Sequence, residues 1–233
     1  MKNGSEKKPV CVITGGSSGM GLATARRMGQ KGCALVLAAR TPKKLDAAIE
    51  ELAAAGVTAT ACRCDISDAG SVQGLADYAA SLGPVTTVLH IAGMSPHMGD
   101  AEAIMRGNAL GTVHIHDAFY PVIEPGGCLV DTSSMSAYLA PEFIMPKGAF
   151  KLAADDREAF FRKMMARVNL LPKKSRPGAA YAISKYFVIW YARHEAARFG
   201  ARGVRVLSVT PGNFDTPMGK LEKDEAGAYL KFN

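Results

Sequence analysis

The sequence predicts an α/β fold, a doubly wound parallel sheet with helices on both faces. Three observations predict it. Short apolar runs alternate with longer stretches of helical periodicity along the 233 residues, the pattern of parallel strands joined by right-handed crossovers. Those runs are nearly continuous in apolar character, as in strands buried on both sides. The first run passes directly into a glycine-rich turn and then a helix, Thr14-Gly15-Gly16-Ser17-Ser18-Gly19-Met20-Gly21.

The elements follow in order. Val10–Thr14 is apolar and β-branched, and reads as a buried strand. Gly19–Lys31 reads as a helix and Ala34–Ala39 as the second strand. Pro42–Ala55 has Thr41 at the N-cap position and Pro at its first turn, a helix start. Thr58–Arg63 is strand-like and Asp68–Leu82 helical. Thr87–Ile91, Cys128–Thr132 and Val204–Val209 supply three more strands, separated by helical patterns at Ala101–Tyr120 and Gly178–Phe199. The length suits a single domain spanning 1–233 with a substantial core.

Composition excludes several classes. No run approaches the roughly 20 apolar residues that cross a bilayer. The start, MKNGSEKKP, lacks the apolar core of a signal peptide, so a cytoplasmic chain without membrane contact is expected. Cys11, Cys33, Cys62, Cys64 and Cys128 are odd in number, and Cys62 and Cys64 lack a second pair to complete a zinc site. Reduced thiols and no metal are expected. The net charge of +7 permits nucleic-acid binding, but only Arg162, Lys163, Arg167, Lys173, Lys174 and Arg176 cluster. No aromatic-interleaved basic module appears, so no nucleic-acid partner is expected.

The glycine-rich turn has a specific physical use. Gly15 lets the chain leave the strand sharply, Gly19 lets backbone approach a diphosphate, and Gly21 lets the helix pack on the sheet. The helix start then offers free N–H groups to phosphate. An ordinary turn is the rival reading. The second strand ends Ala38-Ala39-Arg40, where an NAD-binding fold carries an acidic residue. Ala39 cannot grip a ribose hydroxyl, whereas Arg40 can neutralise a 2′-phosphate. Its rival reading is a plain surface arginine. Asp65, between Cys64 and Ile66, either accepts from an adenine amino group or caps a turn.

Tyr181 and Lys185 lie four apart in a helical pattern and share one face. A free Tyr, with a pKa of about 10, is a poor acid–base group near neutrality. A nearby ammonium favours the phenolate, and a drop of roughly three units corresponds to about 4 kcal/mol. Such a Tyr can give a proton to a carbonyl oxygen or take one from an alcohol.

Together these residues resemble the short-chain dehydrogenase/reductase family, its branch with a T-G-x-x-x-G-x-G turn. The resemblance runs from Val10 to Met218 and rests on motifs in the family's order. They are Thr14–Gly21, Asp65, Ala92-Gly93, Asn108, Ser133-Ser134, Tyr181–Lys185 and Pro211-Gly212 followed by Thr216. The resemblance implies a Rossmann-type fold, an NADP(H) cofactor and hydride transfer to or from a small-molecule carbonyl or alcohol carbon. Tyr181 would be the acid–base residue, and Lys185 would hold the nicotinamide ribose and tune Tyr181. Ser134 would bind the substrate oxygen, with Ser133 as the fallback, and Asn108 would support a proton relay through a water. The implied cofactor surface comprises Gly15, Ser17, Ser18, Gly19, Met20, Gly21, Arg40, Cys64, Asp65, Ile66, Ala92, Gly93, Tyr181, Lys185, Pro211, Gly212, Phe214 and Thr216.

The chain departs from the family pattern in three places. Ile91-Ala92-Gly93 stands where the family has Asn-Ala-Gly, which implies lost hydrogen bonding in the sheet. Residues 141–177 lengthen the gap between Ser134 and Tyr181, much as in bacterial 3α-hydroxysteroid dehydrogenase/carbonyl reductases of the family. That points to a steroid or other bulky apolar ketone. Phe160, Phe161, Met164, Met165, Val168 and Leu171 form one helical stripe within the insertion, which lies on its own domain, covers the substrate, or contacts another subunit. Six strands are expected, and the family's seventh is missing before the chain ends at Asn233, which suggests a truncated C-terminus. The helix after Tyr181 is apolar nearly all round, so one face meets the sheet. The other can meet a two-fold mate, as in the family's homodimers and homotetramers. A non-catalytic NADP(H) sensor or scaffold is the alternative function.

Overall fold

A computed structural model of the chain describes residues 7–139, 141–216 and 218–219. Six strands form one sheet: β1 (Val10–Thr14), β2 (Ala34–Ala39), β3 (Ala59–Arg63), β4 (Val85–His90), β5 (Ile123–Thr132) and β6 (Arg205–Val209). The order is β3-β2-β1-β4-β5-β6, and every neighbouring pair is parallel. The strand order reverses beside β1, and that switch point opens a crevice at the carboxyl ends of β1 and β4. Every residue of β1 is buried, which explains its unbroken apolar run.

The helices are α1 (Gly19–Gln30), α2 (Pro42–Ala54), α3 (Ala69–Leu82), α4 (Ala101–Met105), α5 (Gly111–Phe119), α6 (Lys147–Phe150), α7 (Arg157–Asn169) and α8 (Arg176–Gly200). The caps differ from the sequence pattern in instructive ways. Thr41 occupies the N-cap of α2 without a side-chain capping bond. Asp68, expected inside α3, caps it by accepting from the Ser71 amide at 2.7 Å. The continuous helix expected over Ala101–Tyr120 contains a π-helical turn at Arg106–Leu110. That turn rotates Asn108 relative to a regular helix.

Two strand starts lie more than one residue from the expected positions. β4 begins at Val85, and β5 begins at Ile123 rather than Cys128. The register between them slips after Val85↔Ile123, resuming at Thr87↔Cys128. Glu124-Pro125-Gly126-Gly127, outside every element expected from the sequence, forms the bulged part of β5.

The insertion packs on its own domain. Asp156 caps α7, accepting from the Ala159 amide at 2.9 Å. Phe160, Met164 and Val168 are fully buried, with Phe161 and Met165 partly so. Leu171 does not continue this stripe, because α7 ends at Asn169 and Leu171 is exposed. Phe150 and Phe160 meet Phe187 of α8 at ring-centroid distances of 5.3 and 4.8 Å. An ion pair from Arg157 to Asp117 ties α7 to α5. The face of α8 that carries Phe187 is therefore covered by α6 and α7 within the chain. At the opposite edge, Leu207 and Val209 of β6 are about half exposed, and no strand pairs with this edge among the described residues. No helix among the described residues is long and apolar enough to cross a membrane.

Candidate active site

The turn after β1 is shaped by contacts that only glycine permits. Gly15 and Gly19 adopt φ of +70° and +52°, the left-handed region. A Cβ on Gly21 would lie 2.1 Å from the Gly15 carbonyl oxygen, so the helix start is pressed onto the turn. Ser18 takes the N-cap of α1 without a side-chain capping bond, and the first turn holds no acidic residue. The first amides of α1 are thus left to an anion. This cradle fits a diphosphate.

A cleft of about 430 Å³ runs from this turn across the sheet switch point. One end is lined by Arg40, Thr41 and Lys44 and by Cys64, Asp65, Ile66 and Ser67. Arg40 is exposed and its guanidinium is open to a phosphate. Asp65 Oδ1 accepts from the Ser67 amide at 3.0 Å and its hydroxyl at 2.7 Å. Partial burial pushes the Asp65 carboxyl up. The two Ser67 bonds and the charges of Arg40 and Arg63 outweigh it, and hold the carboxyl below its ordinary value. Asp65 is thus a turn cap that also lines the cleft.

The other end of the same cleft is lined by Ala92, Gly93, Met94, Thr132, Ser133, Tyr181 and Lys185. Tyr181 and Lys185 come from one face of α8, and the Lys185 nitrogen stands 5.9 Å from the Tyr181 ring centre. Lys185 is buried, and its ammonium donates to the Thr132 carbonyl at 2.8 Å. Burial pushes it down to about 8, against the upward pull of the Asp131 charge. A Cβ on Gly93 would lie 3.2 Å from that nitrogen and 3.1 Å from Asn108 Oδ1.

Asn108 faces inward. Its Oδ1 accepts from the Met94 amide at 2.7 Å, and its Nδ2 donates to the Met94 carbonyl at 3.0 Å and to Ser184 Oγ at 3.2 Å. It clamps the loop after β4 to α8. The two serines divide their tasks. Ser133 is buried and donates to the Lys185 carbonyl at 2.7 Å. Ser134 is half-buried, and its oxygen accepts from the Ser136 amide at 3.2 Å, leaving its own hydroxyl proton to donate. Ser133 lines the cleft of the described residues, and Ser134 stands beside it, at the cap of the short turn Met135–Tyr138.

Ser17, Met20 and Thr216 line the cleft as well. Pro211, Gly212 and Phe214 do not line it. The Pro211 carbonyl accepts from the Met135 amide at 2.9 Å, which sets Pro211 against the Ser134 turn, and Phe214 is half exposed.

The loss of Asn at Ile91 is offset by a buried histidine. Thr14 Oγ1 accepts from the Ala92 amide at 3.1 Å and lies 2.8 Å from His90 Nδ1. His90 Nε2 lies 3.4 Å from Thr112 Oγ1, which donates to the Asn108 carbonyl at 2.8 Å. One neutral tautomer, protonated on Nε2, satisfies the whole chain of bonds. Burial pushes His90 down to about 4, which keeps it neutral.

Sequence reasoning missed Lys44, Met94, Met98, Ala103, Arg106 and Met218, all of which line the cleft. Lys44 was detectable, a cation in the first turn of the helix that follows Arg40. Arg106 was not, because the π turn sets its direction. It bonds Glu102 at 2.8 and 3.1 Å and stacks over Phe161 of the insertion at 4.2 Å. All five cysteines are free thiols, and burial pushes Cys64 up to about 11.

Residues 9–167 match the short chain dehydrogenase family. The chain is 31% identical over 220 residues to 1-deoxy-11-beta-hydroxypentalenate dehydrogenase of Streptomyces avermitilis, covering 89% of this chain and 69% of that protein. It is 26% identical over 233 residues to carbonyl reductase [NADPH] 1 of Homo sapiens, covering 90% and 83%. Among solved structures, the actinorhodin polyketide ketoreductase with NADPH superposes with a TM-score of 0.73 at 20% identity, covering 97% of this chain and 78% of that one.

Proposed function

The chain belongs to the short-chain dehydrogenase family, and on that premise we propose that it is an NADP(H)-dependent oxidoreductase acting on a carbonyl or secondary alcohol. The observation that carries this reading is a single cleft that joins the glycine turn and Arg40 at one end to Tyr181 and Lys185 at the other. When bound, the nicotinamide gives or takes the hydride, and the protein supplies position and charge. The amides at the start of α1 hold the diphosphate, Arg40 meets the 2′-phosphate, and Cys64, Asp65 and Ile66 flank the adenine.

Tyr181 passes its phenolic proton to the carbonyl oxygen during reduction and takes it back during oxidation. Lys185 stabilises the phenolate and holds the ribose hydroxyls. Ser134 donates to the substrate oxygen, because the hydroxyl of Ser133 is already committed to the Lys185 carbonyl. Asn108 keeps Gly93 and Met94 in place against Lys185, and a relay water would rest beside it. Ala92, Gly93 and Thr216 border the nicotinamide end.

Met94, Met98 and Met218 line the cleft, and such adaptable apolar side chains suit a bulky ketone of the steroid kind. A sensor or scaffold role is not favoured, because a pure binder needs neither an acid–base Tyr nor its ammonium. The protein acts in the cytoplasm. A homodimer or homotetramer would assemble through surfaces other than the α8 face that α7 covers.

The test is oxidation of NADPH with a panel of steroid, aromatic and quinone ketones. Turnover with at least one is expected. Tyr181→Phe should cut it by roughly 10²–10⁴-fold while NADPH binding, followed by fluorescence, is retained. Turnover in that variant equal to wild type would remove Tyr181 from the chemistry.

A further inference from the structure

A row of polar residues runs beneath the cleft. Thr14, His90, Asp131 and Ser208 stand in register on β1, β4, β5 and β6, so their side chains share one face of the sheet. Ser133, two residues beyond Asp131, lies on that face too and donates to the Lys185 carbonyl. Lys185 therefore sits over the face from which the Asp131 carboxyl projects. Its ammonium reaches the carbonyl of Thr132, the residue next to Asp131, at 2.8 Å.

Asp131 is fully buried, and a buried carboxylate is costly unless a charge or several hydrogen bonds compensate it. One bond is present, from His116 Nε2 of α5 to Asp131 Oδ2 at 2.7 Å, with both side chains 0% exposed. Asp131 Oδ1 and His116 Nδ1 have no hydrogen-bond partner among the described residues. His116 thus satisfies one Asp131 oxygen and leaves the other to be compensated by charge.

The groups facing Asp131 can be named element by element. β4 presents His90, which burial keeps neutral. β6 presents Ser208, which carries no charge. α5 presents His116. α8 presents Lys185 and, against the His116 ring at 4.9 Å, the phenol Tyr191. Lys185 is the ammonium among them, and it is held over the same face of the sheet by the Thr132 and Ser133 bonds.

We infer that Asp131 is the counter-ion of Lys185, a positioning residue that touches neither substrate nor cofactor and keeps the buried Lys185 ammonium charged. Lys185 is buried against a single carbonyl, and one neutral dipole does not offset the desolvation of an ammonium. The Asp131 charge is the one that opposes its deprotonation. The catalytic consequence rests on the acid–base reading of Tyr181 and Lys185, but the charge pairing itself does not. If Lys185 lost its proton, Tyr181 would lose the field that favours its phenolate.

The test uses Asp131→Asn, which keeps the shape and an acceptor for His116 while removing the charge. The Lys185 titration is read by NMR on protein carrying ¹³Cε-lysine, its resonance assigned by loss in Lys185→Arg. The midpoint should fall by about one pH unit or more in Asp131→Asn, and an unmoved midpoint overturns the proposal. In urea unfolding, Asp131→Asn should have a lower midpoint than wild type. Adding Lys185→Met should raise it again, since the stranded ammonium is then gone. If Asp131→Asn does not fold, Asp131→Asn/Lys185→Met should. A double variant that is no better than the single one in either case overturns the proposal. In ketone reduction, the ratio of variant to wild-type kcat/KM should fall as pH rises from 6 to 9, and a flat ratio counts against Asp131. Absence of ketone reduction by the wild type would remove the functional reading and leave the titration and urea arms to decide the pairing.

Discussion

The two ends of the cleft are built by different means. The nucleotide end comes from consecutive chain: β1, its glycine turn, α1, and the ends of β2 and β3. Its shape is set by backbone, through positive φ at Gly15 and Gly19 and the close approach of Gly21 to Gly15. The chemical end is assembled from distant segments. Lys185 bonds Thr132 across 53 positions, Ser133 bonds the Lys185 carbonyl across 52, and Asn108 meets Ser184 across 76. The first end depends on local conformation and tolerates remodelling elsewhere. The second depends on how α8 is pressed against β5, and so on everything packed behind α8.

That difference predicts where a remote substitution will be felt. Phe160 is fully buried between α7 and α8 and touches Phe187. Phe160→Ala should destabilise the protein by about 3–5 kcal/mol in urea unfolding, through lost burial and a cavity. It should impair ketone reduction at temperatures where NADPH binding survives. Leu171→Ala, at an exposed site beyond the helix end, should change stability by less than about 0.5 kcal/mol. Equal effects of the two would mean that the insertion does not brace α8.

The same contrast explains what was legible in the sequence. β1 and β2 were readable to the residue, because an unbroken apolar run followed by glycine or a charged residue has one meaning in a parallel sheet. β5 was readable only in its second half, since Pro125, Gly126 and Gly127 mimic a turn where the strand in fact bulges. The π turn at Arg106–Leu110 leaves no periodic mark, so the directions of Arg106 and Asn108 were hidden. Gly15, Arg40, Tyr181 and Lys185 stood out because each belongs to a short pattern with a chemical purpose, and all four line one cleft. His90, His116 and Asp131 were missed because pairing between buried polar groups depends on register and helix packing, neither of which a linear pattern contains.

Acid offers a way to probe the seam between the two ends. His90 links the Thr14 hydroxyl of the glycine turn to Thr112 and thence to the Asn108 carbonyl. Its folded-state value is pushed by burial from 6.5 down to about 4. The unfolded chain therefore binds more protons between those values, and stability falls as pH drops from above 6.5 toward 4. The full window corresponds to up to about 3 kcal/mol. His90→Asn cannot titrate there, so it should be less stable than wild type at pH 7.5, and its deficit should shrink as pH approaches 4.5. A deficit in urea midpoint that stays constant with pH would show that His90 does not couple the two ends through a neutral ring.

The smallest expected effect lies at the nucleotide end, where the ligand is held by exposed charge rather than by packing. Arg40, just after β2, and Lys44, in the first turn of α2, both line the cleft. A charge-assisted bond contributes about 1.5–3 kcal/mol, so Arg40→Ala should weaken NADPH binding by roughly 10–100-fold and leave NADH binding nearly unchanged. Lys44 is a point charge without the flat two-pronged geometry of a guanidinium, so Lys44→Ala should cost less NADPH affinity than Arg40→Ala. Both losses should diminish in high salt, because exposed charges are screened, whereas the effect of Phe160→Ala should not. Calorimetric titration with each dinucleotide at two salt concentrations decides the matter. If the intact protein prefers NADH, Arg40 is an ordinary surface residue. If Lys44→Ala exceeds Arg40→Ala in effect, the 2′-phosphate rests against α2 rather than at the end of β2.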